Sequence, residues 1–148
     1  MTDLVKQPRA LAGLGTKRAL LLVITLMLSG RAMTLAFIGD AGAGGVGDPP
    51  SAWLMPLVGD AVIGVSALAV AYLIVQRRGL WVWTAIVAWN ILGIWDAFSA
   101  YLIHVSVQWP EFLMIEIFGL SMFLAASAMH LVALWRVTGD ELRTHYLS

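Results

Sequence analysis

The sequence predicts an all-α protein, an antiparallel bundle of four membrane-spanning helices with both termini in the cytoplasm. Of its 148 residues, 60% are hydrophobic and only 12% are charged, whereas soluble domains carry about 25% charged residues. Four apolar runs are each long enough to cross a bilayer, for which ~20 residues suffice. The basic residues cluster at the ends of these runs that would lie on one side of the membrane. Together the observations predict one integral membrane domain.

The four apolar runs define the predicted helices. Their ranges are 19–38, 53–75, 81–104 and 112–135. A membrane β-strand needs only ~10 residues of alternating polarity, and these runs are longer and do not alternate. The polar segments 1–18 and 137–148 are expected to be cytoplasmic tails, the second of them a solvated end. Gly139 is expected to stop the fourth helix.

The basic residues predict the orientation. Lys and Arg occur before the first run, between the second and third, and after the fourth, at Lys6, Arg9, Lys17, Arg18, Arg77, Arg78, Arg136 and Arg143. The connections 39–52 and 105–111 contain neither residue type. Because cytoplasmic loops of membrane proteins are rich in Lys and Arg, this pattern predicts a multi-pass protein of the bacterial cytoplasmic membrane with both termini inside.

The rest of the composition excludes several classes of function. The formal net charge is zero, so the total charge does not indicate a nucleic-acid partner. The chain contains no cysteine, which excludes disulfides, thiolate metal sites and thiol redox chemistry. The expected partner is the lipid bilayer, and no cofactor is indicated.

Polar residues inside the apolar runs are the candidate site. At a helical rise of ~1.5 Å per residue, Asp60 and Asp96 come out ~25 and ~24 Å from the cytoplasmic ends of their helices, and Arg31 comes out at ~20 Å. Asn90 lies deeper towards the cytoplasm at ~15 Å, and Glu116 lies near the outer boundary at ~30 Å. Ionisable groups at such depth are costly and usually functional. We expect Arg31, Asp60 and Asp96 to share one layer, with Glu116 just above it.

Both aspartates are expected to face the interior of the bundle. At 100° per residue, Asp60 shares a helix face with Gly64, Ala67 and Ala71, and Asp96 shares one with Trp89, Gly93, Ala100 and His104. Small residues are typical of close contacts between membrane helices. The two carboxylates should therefore approach each other and not the lipid.

The charges of this layer do not balance. One arginine with two aspartates leaves an excess negative charge, which hydrocarbon does not tolerate. The sequence predicts that one carboxyl is kept protonated or that a cation occupies the site. The alternative is that Arg31, Asp60, Asn90 and Asp96 form a satisfied hydrogen-bond network that only fixes the register of the helices.

Two histidines are secondary candidates. His104 and His130 come out at ~36 and ~9 Å from the inner surface, too far apart to ligate one haem. His104 is expected to be an interfacial histidine, and His130 a helix-end histidine near the cytoplasmic headgroups. A zinc site from Asp60, Asp96, Glu116 and His104 would need suitably tilted helices. No metal is therefore expected.

Short motifs between residues 53 and 135 support the same fold. Gly59-Asp60, Arg77-Arg78, Trp89-Asn90 with Gly93 and Asp96, and Met129-His130-Leu131 stand at these positions. With these motifs, residues 53–135 resemble a widespread set of small four-helix membrane proteins of bacteria. The resemblance implies a four-helix fold and singles out Asp60, Asn90, Asp96 and His130. It implies no activity, and the proline-rich segments expected in the fourth helix of that set are missing here.

Three functions are compatible with these residues. In the first, the acid pair binds a small ligand or cation with proton coupling, and homo-oligomers are expected because four helices are few for a monomeric carrier. In the second, the protein is a non-catalytic membrane subunit or scaffold whose polar pairs select helix partners. In the third, Asp60 or Asp96 is a general acid or base acting on a lipophilic substrate, with Arg31 stabilising charge and Asn90 orienting the substrate.

Overall fold

A computed structural model describes residues 15–43, 50–106, 119 and 121–148. These residues form α1 (Thr16–Leu28), a 3-10 segment (Ser29–Thr34), α2 (Leu35–Gly42), a 3-10 turn (Pro50–Trp53), α3 (Leu54–Gln76), α4 (Leu80–Ser106), α5 (Ser121–Thr138) and α6 (Asp140–Leu147). Four stretches are long and apolar enough to cross a membrane, namely Thr16–Gly39, Ser51–Gln76, Leu80–Ser106 and Ser121–Thr138. The all-helical class and the four candidate spans are thus confirmed.

The first span is less regular than a single helix over 19–38. The α-helix gives way to a 3-10 segment at Ser29–Thr34. Glycine disfavours the helix interior by ~1 kcal/mol, and Gly30 lies in this segment. Two hydroxyls there bond to the backbone of the preceding turn, Ser29 to the Leu26 carbonyl and Thr34 to the Arg31 carbonyl. Such local bonds compete with helical ones, so the chain tightens where Arg31 stands.

The other three spans differ from their predicted ranges mainly at the ends. The second and third begin and end within two residues of the expected positions, at Leu54–Gln76 and Leu80–Ser106. The fourth continues to Thr138, where Gly139 takes an extended backbone conformation and ends the helix as predicted. Residues 112–118 and 120 of the predicted fourth helix lie outside the described residues.

The 3-10 segment packs closely on α3 because Gly64 lacks a side chain. A Cβ atom at Gly64 would lie 2.1 Å from the backbone nitrogen of Ala32 and 2.7 Å from its Cα. The Thr34 hydroxyl shares its hydrogen between the Arg31 carbonyl and, at 3.1 Å across the same contact, the Leu57 carbonyl. This approach carries the neighbouring Arg31 to the face of α3 that bears Asp60.

The apolar core lies where α1, α3, α4, α5 and α6 meet. Its fully buried members include Leu21, Leu28, Ile74, Val82, Ile86, Val137 and Tyr146. Large apolar side chains also cover the outside of the bundle, and Met55, Trp95 and Trp135 are each more than three-fifths exposed. In water such a surface would be unfavourable, whereas in a bilayer it faces acyl chains.

The segment after Gly139 forms α6 and packs on the bundle, where a solvated end was expected. Leu142 and Tyr146, four residues apart on one helical face, are both buried. The backbone nitrogen of Gly79 donates a hydrogen bond of 2.8 Å to the Tyr146 carbonyl. Burial, with the nearby cations Arg18 and Arg78, lowers the pKa of the adjacent His145. The docked position of α6 therefore favours the neutral form of this imidazole.

Arg18 secures the end of α3 near this docked helix. Its guanidinium donates hydrogen bonds of 2.7 and 2.6 Å to the carbonyls of Ile74 and Val75. These carbonyls are at the helix end, where no backbone partner is present in the same helix. The neighbouring Lys17 makes only an exposed ion pair with Glu141.

We expect Arg18→Met to lower the free energy of unfolding by about 2 kcal/mol, the usual contribution of a charged hydrogen bond. Lys17→Met is the matched control, and it should cost less than about 1 kcal/mol because exposed ion pairs contribute little. Unfolding of both variants in detergent, followed by circular dichroism, measures the difference. Equal stabilities would show that Arg18 does not cap α3.

Candidate functional site

Arg31 lies at the centre of a polar cluster inside the bundle. Its Nε donates a hydrogen bond of 2.5 Å to Oδ1 of Asp60, and its Nη2 forms ion pairs with the carboxylates of both Asp60 and Asp96. The three side chains are 10, 19 and 16% exposed, respectively. The predicted layer of one arginine and two aspartates is therefore present in the structure.

The remaining arm of the guanidinium points to α5. Nη1 of Arg31 lies 3.1 Å from Nε2 of His130 and 3.5 Å from the Gly93 carbonyl. His130 is fully buried. Arg31 thus joins the 3-10 segment to three other helices, namely α3 through Asp60, α4 through Asp96 and α5 through His130.

The partners of His130 assign its tautomer. A guanidinium can only donate hydrogen bonds, so Nε2 of His130 must accept the bond from Arg31. Nδ1 then carries the proton and donates it to Oδ1 of Asn90, 3.0 Å away. The Asn90 amide nitrogen donates in turn to the Ile86 carbonyl at 2.9 Å, which fixes the orientation of the amide. In this arrangement His130 is neutral.

Trp89 supports the imidazole from the side. The Trp89 and His130 rings form a T-shaped contact with a centroid distance of 5.0 Å. The Trp89 indole nitrogen donates a hydrogen bond of 2.9 Å to the Ser66 hydroxyl of α3. A buried indole N–H usually has a partner, and here that partner ties α4 to α3 next to the cluster.

Two glycines make room for the charged and polar side chains. A Cβ at Gly59 would lie 1.8 Å from Oδ1 of Asp96, and a Cβ at Gly93 would lie 2.2 Å from Nε2 of His130. Asp96 therefore rests on the backbone of α3, and His130 rests on that of α4. Each helix thus carries one acid of the cluster and a nearby glycine that makes room for another member. On α3, Gly59 next to Asp60 admits Asp96, and on α4, Gly93 near Asp96 admits His130.

The structure brings together four of the five residues predicted for the site. Arg31, Asp60, Asp96 and Asn90 belong to one hydrogen-bonded cluster with His130. Glu116 lies outside the described residues.

The sequence-based placement of His130 near the cytoplasmic headgroups is wrong. The imidazole is in the cluster because the Arg31 side chain reaches it. Long side chains on a helix point towards its amino end, so the Arg31 guanidinium extends back to the level of Asn90 and His130. This direction leads away from the level of the two aspartates, yet Arg31 also pairs with both of them. The side chain thus spans both levels. The signal in the sequence is the face of the predicted fourth helix that His130 shares with Glu116, Gly119, Phe123 and Ser127.

His104 lies in a different part of the bundle. Its ring contacts those of Trp53 and Phe123, at centroid distances of 6.4 and 5.7 Å. Trp53 and Phe123 belong to a second apolar cluster with Ala100. His104 is therefore part of the packing between helix ends and is separate from the Arg31 cluster.

Within residues 15–43, 50–106, 119 and 121–148, no group of three or more His, Cys, Asp or Glu side chains is arranged to hold a metal ion. Two surface hollows lie away from the cluster. One, of ≈ 690 Å³, follows α4 along Leu80, Trp81 and Thr84, and the other lies beside α6.

Comparison with protein-family models, curated proteins and solved structures finds no match to this chain. Function must therefore be inferred from the geometry and charge of the cluster.

Proposed function

We propose that the protein binds one proton, or a small cation in its place, at the Asp60–Asp96 pair, and that it is a membrane carrier or coupling protein. The sum of charges in the cluster carries this proposal. Arg31 contributes one positive charge, the two carboxylates contribute two negative charges, and His130 is neutral in its assigned tautomer. Because an unbalanced charge at this depth is costly, one bound positive charge completes the site.

The arrangement of the two carboxyl groups favours a proton as the resting occupant. Asp60 and Asp96 are neighbours, because both carboxyl groups contact the same nitrogen, Nη2 of Arg31. Two adjacent carboxyl groups in such a position readily share one proton. Both carboxyl groups keep some exposed surface, and the proposed exchange requires that this surface reaches water.

The proposed orientation is an antiparallel bundle in the bacterial cytoplasmic membrane with both termini inside. Contacts support it, because the start of α1 meets the end of α3 through Arg18 and Ile74, and α6 meets the turn before α4 through Tyr146 and Gly79. The basic residues near these contacts should lie on the cytoplasmic side. The acid pair then lies in the outer half of the membrane.

A second candidate function is that of a non-catalytic membrane subunit. The closed network of Asn90, His130 and Arg31 favours it, because internally paired polar groups can specify helix register without chemistry. Copurification of the intact protein in mild detergent tests this function. A stoichiometric partner would support a subunit role, whereas a homo-oligomer or a monomer would count against it.

The bound proton should be visible by infrared spectroscopy of the purified protein in lipid. We expect a carbonyl band of a buried, protonated carboxylic acid at neutral pH, which Asp96→Asn abolishes because Arg31 and Asp60 then balance each other. Glu141→Gln is the matched control, since its carboxylate is 59% exposed, and it should leave the band unchanged. A small cation that competes for the site should reduce the band as its concentration rises.

Two outcomes of this measurement would contradict the proposed proton site. If the wild-type protein has no such band, and if added monovalent cations leave the carboxyl spectrum unchanged, the acid pair holds no exchangeable charge. A band that persists in both Asp96→Asn and Asp60→Asn variants would place the proton elsewhere.

A further inference from the structure

Both buried nitrogens of His130 have assigned partners, and one partner is a cation. Nδ1 bonds to Asn90 and Nε2 lies 3.1 Å from Nη1 of Arg31. A doubly protonated imidazole has two donors and no acceptor. Its Nε2–H would then face a guanidinium N–H, and two positive charges would lie in contact. Protonation of His130 and the present position of Arg31 therefore exclude each other.

We infer that His130 is a second binding position for the proton held by Asp60 and Asp96, and that Arg31 leaves the imidazole when the proton binds there. This inference rests on the proposed function and adds a second state to it. In the first state, the carboxyl pair carries the proton and Arg31 contacts His130. In the second, His130 is cationic and Arg31 pairs only with the two carboxylates.

Both states are electrically neutral, which is why one proton can occupy either position. In the first state, Arg31 balances the single ionised carboxylate. In the second, the positive charges of Arg31 and His130 balance both ionised carboxylates. Among the residues that the structure describes, the charged members of the cluster are Arg31 of the 3-10 segment, Asp60 of α3 and Asp96 of α4. Asn90 and Trp89 face the imidazole as neutral groups.

The exchange between the two states is a simple proton transfer. One carboxyl O–H bond breaks and one N–H bond forms at Nε2 of His130. A water molecule between the two groups relays the proton, because it accepts one proton from the carboxyl group and donates another to Nε2. Nε2 of His130 rests against Gly93, which lies three residues before Asp96, or ~4.5 Å along the helix. The proton thus moves between two levels of the membrane, and Arg31 moves in response.

Nitrogen NMR of the imidazoles tests the inference on full-length, isotope-labelled protein in lipid. The chain has three histidines, so His104→Gln and His145→Gln variants assign the His130 signals. We expect the wild-type protein at neutral pH to show a neutral ring protonated at Nδ1. In Arg31→Gln, the cation beside Nε2 is gone and both aspartates remain, so we expect the signals of a cationic His130 at the same pH.

A second measurement applies if Arg31→Gln does not fold. Acid titration of the wild-type protein should then change the His130 and Arg31 side-chain signals in one joint transition. A folded Arg31→Gln protein with neutral His130, or a wild-type His130 that is protonated while the Arg31 signals stay constant, overturns the inference. These results would leave the carboxyl infrared band untouched, so failure of this inference and failure of the proposed function are distinguishable.

Discussion

Gly64→Ala should destabilise the protein by about 3 kcal/mol, the upper part of the range for overpacking. The added methyl group would lie 2.1 Å from the Ala32 nitrogen and 2.7 Å from the Arg31 carbonyl carbon. Both are backbone atoms, so no side-chain rotation relieves the collision. The 3-10 segment must move away from α3, and Arg31 must move with it. Thermal unfolding in detergent measures the loss.

Gly39→Ala is the matched control for this substitution. Gly39 lies in α2 with nothing within 4 Å of an added Cβ, and alanine favours a helix over glycine by ~1 kcal/mol. Its stability should be unchanged or slightly increased. If Gly64→Ala unfolds at the same temperature as Gly39→Ala, the close approach of the 3-10 segment to α3 is not part of the native packing.

Arg31→Gln should cost about 3–5 kcal/mol, as expected when one partner of a buried ion pair is removed. The substitution leaves Asp60 and Asp96 without their shared cation and removes the donor to His130. Glutamine is too short and too weak a donor to replace the three contacts. Detergent or urea unfolding, with the folded fraction followed by circular dichroism, gives the change in free energy.

Two further variants distinguish the loss of this ion pair from a general loss of positive charge. Arg78→Gln removes an exposed arginine and should change stability by no more than about 0.5 kcal/mol. Asp60→Asn added to Arg31→Gln removes one of the two uncompensated carboxylates, so part of the lost stability should return. If Arg31→Gln is as stable as Arg78→Gln, Arg31 does not pair with the acids.

Several features of the fold and the cluster follow from the sequence. Apolar length and composition predict the four spans, because both are local properties of the chain. Counting residues at a constant helical rise places Arg31, Asp60 and Asp96 at similar depths, and the structure confirms their contact. The orientation in the membrane stays a prediction from the basic residues.

Other features depend on distances between helices and do not follow from periodicity. The depth count misplaced His130, because a rise along the axis contains no information on how far an arginine side chain reaches. The buried face of α6 was missed, because its two apolar contacts, Leu142 and Tyr146, are too few to distinguish a docked helix from a solvated tail.

The sequence by itself therefore determined the all-helical membrane class, the four apolar spans and the presence of one cation with two carboxylates at matching depth. Only the tertiary structure decided that Arg31 also contacts His130, which tautomer the imidazole adopts, and how Gly59, Gly64 and Gly93 admit these groups. The physical reason is that hydropathy and helical rise are properties of one chain segment. A hydrogen bond between helices depends on their separation, which is set by small residues at a few close contacts.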